Sequence, residues 1–226
     1  MRVRDFIEQH YERFNSGEVR RAARAYEAHI QSGGRMLVSL AGAMSTARLG
    51  KLLARAIRED LVHAISCTGA NLEEDAFVLL AGDTYEQIPD WRFLRPEDDA
   101  ALLERGMNRV TDTAIPETVM RHVEKRLLRE WTQACADDRV ALPSEHLLAA
   151  LADPEVKQHF QIPAESWLLA AGEKGIPVFT PGWEDSTTGN MFAAAVYRGE
   201  VERHGCVTAG TEQMTRLMDW YQTASL

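Results

Sequence analysis

Residues 35–71 run Arg35-Met36-Leu37-Val38-Ser39-Leu40-Ala41-Gly42, then a helical pattern over positions 46–58, then Leu61-Val62-His63-Ala64-Ile65-Ser66-Cys67 ending in Thr68-Gly69-Ala70-Asn71. The order is strand, helix, strand. A hairpin joins its strands by a short turn. Two near-continuous apolar strands separated by a helix instead require a right-handed crossover in a parallel sheet covered on both faces. The stretch therefore predicts the α/β class, a parallel sheet with helices on both faces.

The same pattern extends outward in both directions. Upstream, Val3, Phe6, Ile7, His10 and Phe14 fall at helical spacing, a second helix follows Ser16-Gly17 over residues 18–31, and Gly33-Gly34 stops it. Downstream, Leu72-Glu73-Glu74-Asp75 reads as the opening of a helix with acidic residues in its first turn, favoured by the helix dipole. Residues 83–115, with Pro89, Pro96 and Gly106, read as an excursion from the sheet. Helices are expected over 116–136, 142–152 and 164–171. A third buried strand follows at Ile176-Pro177-Val178-Phe179-Thr180, and then a loop from Pro181 to Asn190. A helix over 191–198, the run Val207-Thr208-Ala209-Gly210 near a last strand, and a final helix over 212–222 complete the reading.

The chain has 226 residues, 45% hydrophobic and 26% charged, with Lys+Arg 25 against Asp+Glu 34 and a net charge of −9. That composition supports a folded globular domain rather than disorder, and no apolar run approaches the ~20 residues of a membrane-spanning helix. Acidic balance and scattered basic residues argue against a nucleic-acid partner. Met1-Arg2-Val3-Arg4-Asp5 leads into a charged amphipathic stretch instead of a signal core. Cys67, Cys135 and Cys206 are odd in number and far apart, which fits a reducing compartment without a disulfide scaffold. A cytoplasmic location is the resulting expectation.

In open parallel sheets, ligands sit beyond the carboxyl ends of the strands. Three loops qualify: Ala41-Gly42-Ala43-Met44-Ser45, Thr68-Gly69-Ala70-Asn71 with the acids after it, and residues 180–190. Their small residues let a ligand approach the backbone, and Ser45, Thr68 and Asn71 offer hydrogen bonds. The same residue types also simply turn a chain and cap a helix. No G-x-G-x-x-G follows a strand, and Walker A, G-x-S-x-G, C-x-x-C and H-E-x-x-H patterns are absent. Asp185, just after a buried strand, is placed to bind a ribose hydroxyl or an amine, and Trp183 beside it reads as a ligand contact. Glu73, Glu74 and Asp75 read most simply as a charged first turn. His63 and His204 read as satisfied histidines, and Trp131 and Trp167 as core or interface anchors.

Four blocks, in order, carry a family resemblance. They are Ser39-Leu40-Ala41-Gly42-Ala43-Met44-Ser45, Ser66-Cys67-Thr68-Gly69-Ala70-Asn71-Leu72-Glu73-Glu74-Asp75, Gly106-Met107-Asn108-Arg109-Val110, and residues 176–191 from Ile176 to Met191. Together they resemble the deoxyhypusine synthases and their bacterial deoxyhypusine synthase-like relatives, over most of the chain from about residue 30. The resemblance implies a Rossmann-like NAD-binding domain over residues 33–226, preceded by an N-terminal helical segment over 1–32. It also implies a homotetramer built as a dimer of dimers. The implied activity is transfer of an aminobutyl group from spermidine, or a related amine, to a protein acceptor. NAD takes hydride from a carbon beside nitrogen, and an imine on an enzyme lysine carries the group.

By motif, Ala41, Gly42 and Ala43 stand in the family's Ser-Asn-Leu cofactor loop, and Thr68, Gly69 and Ala70 in its Thr-Ala-Gly turn. Glu74 matches the second glutamate of Glu-Glu-Asp, and Asp185 the aspartate of Thr-Asp-Gly-Ser. All eight are expected cofactor contacts. Asn190 falls where the family has an aspartate facing the polyamine, and an amide lacks the charge that holds an ammonium group. The family's glycine-rich loop and active-site lysine lie beyond the point matching Thr211-Glu212-Gln213-Met214, and neither occurs before Leu226. The expectation is therefore a shortened member or part of a longer chain. Lys174, before the Ile176 strand, sits at the wrong end to replace that lysine. Beside the transferase reading stand a non-catalytic or partner-completed oligomer subunit with a partial NAD site, and a residual nucleotide-binding module.

Overall fold

Strands Leu37–Leu40 (β1) and Ala64–Cys67 (β2) lie parallel, with Leu37 opposite Ala64 and Leu40 opposite Cys67. On the far side of β2 runs Val178–Phe179 (β6), also parallel, with Ile65 opposite Val178 and Ser66 opposite Phe179. These details come from a computed structural model of the chain, which describes residues 1–201 and 204–224. Side chains alternate between the faces of a strand. Val38, Leu40, Ile65, Cys67 and Val178 thus point into the large core, while Leu37, Ser39, Ala64, Ser66 and Phe179 share the opposite face.

In chain order, Val3–His10 (α1) and Phe14–Gln31 (α2) precede β1, and Gly50–Arg58 (α3) crosses to β2. Gly69–Ala81 (α4) leaves β2 directly. There follow Glu86–Gln87 (β3), Pro96–Glu104 (α5), Met107–Val110 (β4), Thr113–Pro116 (β5), Glu117–Ala136 (α6), Pro143–Leu151 (α7), Pro154–Lys157 (α8) and Trp167–Lys174 (α9). Thr187–Tyr197 (α10) and Gly210–Ala224 (α11) come after β6. On the core side α3 packs along α9. On the other side α11 touches β6, and its Leu217, Met218 and Tyr221 share an apolar cavity with Leu37 of β1. The expected α/β architecture, a parallel sheet with helices on both faces, is the one observed.

One amide ties α11 to the sheet. Gln213 is fully buried; its Oε1 accepts from the Thr180 backbone N–H at 2.7 Å and its Nε2 donates to the Thr208 carbonyl at 2.9 Å. Val207, expected near a last strand, makes only an isolated bridge to Ala141 among the described residues. Because β6 is only two residues long, its ladder ends before the 207–209 segment.

Residues 83–115 fold as a unit of their own: an antiparallel sheet in the order β3-β5-β4, with α5 against β4. Leu102, Met107 and Ala114 form its small core, with Ile88 packed on it. Neither core cluster includes a residue of α1 or α2. Those helices join the body through polar contacts such as Tyr26 Oη to the Leu61 carbonyl at 2.6 Å. Gly17 does not break α2 as its sequence suggests. It lies buried inside that helix, where a Cβ would stand 2.8 Å from the Glu12 carbonyl oxygen. The helix expected from residue 46 starts only at Gly50, since residues 43–49 are wound into turns that place Arg48 at φ +62°.

The centre of the large core is aromatic. Trp131 meets Phe192 edge-on at 4.9 Å and Trp183 at 6.3 Å, and Trp167 is fully buried against α3. Among the described residues, no helix is long and apolar enough to cross a membrane. Truncating Trp131, which is 1% exposed, removes a ring that three elements pack around. Trp131→Ala is expected to lower unfolding free energy by about 3–5 kcal/mol. Urea unfolding checks this, and a loss below about 1 kcal/mol would show that the core closes over the gap.

Candidate functional site

Helix α4 begins at the first residue after Thr68, whose Oγ1 accepts from the Asn71 backbone N–H at 3.3 Å. Thr68 is thus the N-cap, and the Glu73-Glu74-Asp75 run lies a turn further in than the sequence suggests. The reading of these acids as a solvated first turn is corrected: Glu73 is 4% exposed and Asp75 5% exposed. A buried carboxylate requires hydrogen-bonded partners, and both have them. Glu73 accepts from the Thr187 and Thr188 backbone N–H groups at 3.1 and 2.7 Å and from the Thr188 hydroxyl at 2.9 Å. It holds the N-terminus of α10. Asp75 accepts from the Ser166 hydroxyl at 2.5 Å and the Leu168 N–H at 3.1 Å, holding the N-terminus of α9. Burial nevertheless pushes the Asp75 carboxyl up to about 6.

Glu74, between them, points elsewhere. It lines a cleft of about 600 Å³ at the carboxyl ends of β1 and β2. Its carboxyl is pushed up to about 7, first by burial, and the Thr46 and Tyr85 hydroxyls bond to it, the latter at 3.4 Å. The same cleft gathers Gly42, Ala43, Thr68, Gly69, Ala70 and Asp185, so seven of the eight expected cofactor contacts share one wall system. Ala41 does not line it; it is exposed just past the end of β1. Asn190, the expected substrate contact, is exposed on α10 and also lies outside the lining.

Several expected ligand groups are spent on the fold itself. Asn71 is fully buried: its Oδ1 accepts from the Ser45 N–H at 3.1 Å, and its Nδ2 donates to the Gly42 carbonyl at 2.7 Å and to Thr68 Oγ1 at 2.9 Å. The Ser45 hydroxyl donates to the Asn71 carbonyl at 2.7 Å and accepts from Trp167 Nε1 at 3.1 Å. Ser45 and Asn71 therefore clamp the first loop onto α4 instead of facing a ligand. Trp183 is corrected too. It is 5% exposed, its Nε1 donates to Thr188 Oγ1 at 3.1 Å, and its ring belongs to the aromatic core.

His63 is half-buried, with Nδ1 accepting from the Met36 N–H at 3.1 Å, as expected of a satisfied histidine; the side chain of His204 lies outside the described residues. Lys174 pairs with Asp60 at 2.6 Å, at the opposite end of β6 from the cleft.

Close packing shapes the floor. A Cβ at Gly69 would stand 2.5 Å from that of Ser186, so only glycine lets α4 start this near the Asp185 loop. In front of Gly42 and Gly182 there is open space within the cleft. Among the described residues, Glu74 and Asp185 are the only charged ones in the lining. The wall also includes Gly182, from the expected 180–190 loop, and Ser39, Leu40, Thr46, Ser66, Cys67 and Val110, which sequence reasoning did not name as contacts. Val110 comes from β4 of the small sheet and ends the Gly106–Val110 block, which was a usable signal; Thr46 carried none. A separate cavity of about 520 Å³ beside Arg48, Lys51, Asp83 and Glu165 includes none of the expected cofactor residues. Among the described residues, no three His, Cys, Asp or Glu side chains are grouped to hold a metal.

The deoxyhypusine synthase family model matches residues 7–222. The chain belongs to the deoxyhypusine synthase family. It is 28% identical over 199 residues to a deoxyhypusine synthase-like protein of Nostoc sp. (strain PCC 7120), covering 87% of this chain and 50% of the relative. To probable deoxyhypusine synthase 1 of Archaeoglobus fulgidus it is 28% identical over 197 residues, covering 84% and 57%. The chain thus spans about half the length of these curated relatives. A crystal structure of an Entamoeba histolytica protein assigned as a deoxyhypusine synthase superposes with a TM-score of 0.51 at 16% identity, covering 82% of this chain and 52% of the other. That likeness supports the shared fold.

The raised Glu74 carboxyl has a consequence for stability. Folding tightens its proton, so its charge opposes the folded state increasingly as pH rises from about 4.5 to about 7, and by a constant amount above that. Glu74→Gln should equal the wild type near pH 4.5 and exceed its stability by about 1–3 kcal/mol at pH 8. Paired urea melts at the two pH values test this, and an unchanged difference between them would remove desolvation of Glu74 as the cause.

Proposed function

We propose that the chain forms the NAD-binding wall of a deoxyhypusine synthase-type aminoalkyl transferase acting on spermidine or a related amine. One observation carries this reading: Thr68 and Glu74, from the start of α4, and Asp185, from a loop far along the chain, line one cleft whose charged lining residues among those described are both acidic. Its size is within the roughly 300–1,000 Å³ of small-molecule and cofactor sites. The fit to NAD rests on three features. The first turn of α4 offers backbone N–H groups and the positive end of a 13-residue helix to a pyrophosphate. Gly42 and Gly182 leave room for close approach. Asp185 and Glu74 suit ribose hydroxyls or a cationic amine.

When bound, NAD supplies the acceptor for hydride leaving a carbon beside nitrogen. The chain's own groups bind and orient. Gly69 and Ala70 hold phosphate through the backbone. Asp185 fixes a hydroxyl, and Glu74, protonated below about pH 7 and charged above it, tunes attraction for an ammonium group. Asn190, exposed on α10, contacts an amine only if the ligand extends past the cleft rim.

A second reading is a partner-completed oligomer subunit that keeps the cofactor side of the site. The described lining holds none of Lys51, Lys125, Lys157 and Lys174, so in either reading the nucleophilic lysine that aminobutyl transfer needs comes from outside this wall. In either case we place the protein in the cytoplasm as a homo-oligomer, with a protein acceptor for the transferred group.

Calorimetry with NAD should show binding by the wild type and about tenfold or greater weakening in Asp185→Ala, as expected for loss of a charge-assisted hydrogen bond. Absence of binding by the wild type would overturn the cofactor reading. A spermidine-dependent rise in NADH absorbance supports the transferase. Binding of NAD without that rise supports the partner-completed subunit.

A further inference from the structure

Cys135, at the end of α6, and Cys206, just before α11, are far apart in sequence, yet both line one small crevice with Ala134, Arg139 and Gly205. Short backbone bonds pin both ends. The Ala141 N–H donates to the Cys206 carbonyl at 3.0 Å, and the Thr208 N–H donates to the Ala141 carbonyl at 2.8 Å. The same Cys206 carbonyl bonds His146 Nε2 at 2.9 Å. On the other side the Asp138 N–H donates to the Cys135 carbonyl at 3.2 Å, and the Arg139 N–H to the Ala134 carbonyl at 2.9 Å. The two cysteines therefore meet at one crevice across a fixed backbone frame. The exposed Asp138 and Gly205 border the crevice, which is too narrow to hold a water molecule.

The two thiols are not equivalent. Cys206 is 3% exposed, while Cys135 is half-buried at the crevice. The remaining cysteine, Cys67, is buried in β2 and lines the cleft, away from the pair.

We propose that Cys135 and Cys206 are a reversible oxidation site, closing to an intramolecular disulfide with hydrogen peroxide as oxidant and opening again with a dithiol. The Cys135 thiolate attacks the peroxide oxygen; the O–O bond breaks, and Cys135 becomes a sulfenic acid while one oxygen leaves as water. The Cys206 sulfur then attacks the Cys135 sulfur. The S–O bond breaks, and the sulfenic oxygen departs as water with the Cys206 proton. In total two thiols and one peroxide give one disulfide and two waters. Burial pushes the Cys206 thiol up to about 12 and keeps it from meeting the oxidant first, so the first step falls to the more exposed Cys135. The bond would staple the end of α6 to the segment that carries Gln213 toward β6.

The test uses the full chain, oxidised with hydrogen peroxide and then denatured for thiol counting. The expected result is a fall from three titratable thiols to one, a mapped Cys135–Cys206 cross-link within one chain, and recovery of all three with dithiothreitol. Oxidised wild type should melt about 5–10 °C higher than reduced, because the cross-link closes a long loop. Cys135→Ser should show no cross-link and no rise. Three thiols remaining after oxidation, a linkage through Cys67, or a linkage between chains would each overturn the proposal, and mapping the wild type decides this even where the variant fails to fold.

Discussion

Two carboxylates two positions apart on one helix hold the molecule's functional end together. Glu73 and Asp75 sit inside the protein, each accepting backbone N–H groups from the start of another helix, α10 and α9 respectively. The first N–H groups of a helix have no partner within it, and the positive end of its dipole favours an anion. Each carboxylate thereby answers two needs at once. Neutralising either one would leave buried donors unpaired, which costs more than the bond itself contributes. Through Glu73 the position of α10 is set, and with it Ser186 against Gly69. Since Glu74 lies between the two anchors, the side chain that faces the cleft is oriented by its neighbours' commitments.

What could be read from sequence follows from how local the signals are. β1, α3 and β2 were legible because apolar runs, helical spacing and terminal glycines act within a dozen residues, and the three strand-end loops do meet at one cleft. The acidic run was misread because an exposed first turn and a pair of buried caps have the same letters. Only the positions of α9 and α10, set far along the chain, separate them. Trp183 was misplaced for a related reason. Its loop does reach the cleft through Gly182 and Asp185, but the indole turns inward to Thr188 and Phe192. The small antiparallel sheet was legible only as an interruption, since Pro89, Pro96 and Gly106 mark where elements end without saying which strands pair.

The cleft's electrostatics narrow its chemistry. A wall with two carboxylates and no basic side chain repels a free anion, so a phosphate-bearing ligand must be received by backbone N–H groups at the α4 terminus. The same wall attracts a cation. This division, dipoles for phosphate and side chains for hydroxyl or ammonium, is the one the proposed cofactor site uses.

Gln213 ties the last helix to the backbone beyond the ladder. The parallel ladder ends at Phe179, yet the Thr180 N–H and the Thr208 carbonyl are satisfied by one amide on the last helix. Cutting the chain between β6 and α11 would preserve every strand and still strand a buried donor and acceptor beside the Gly182–Asp185 wall. A dissection guided by strands alone would therefore separate these backbone groups from the amide that satisfies them.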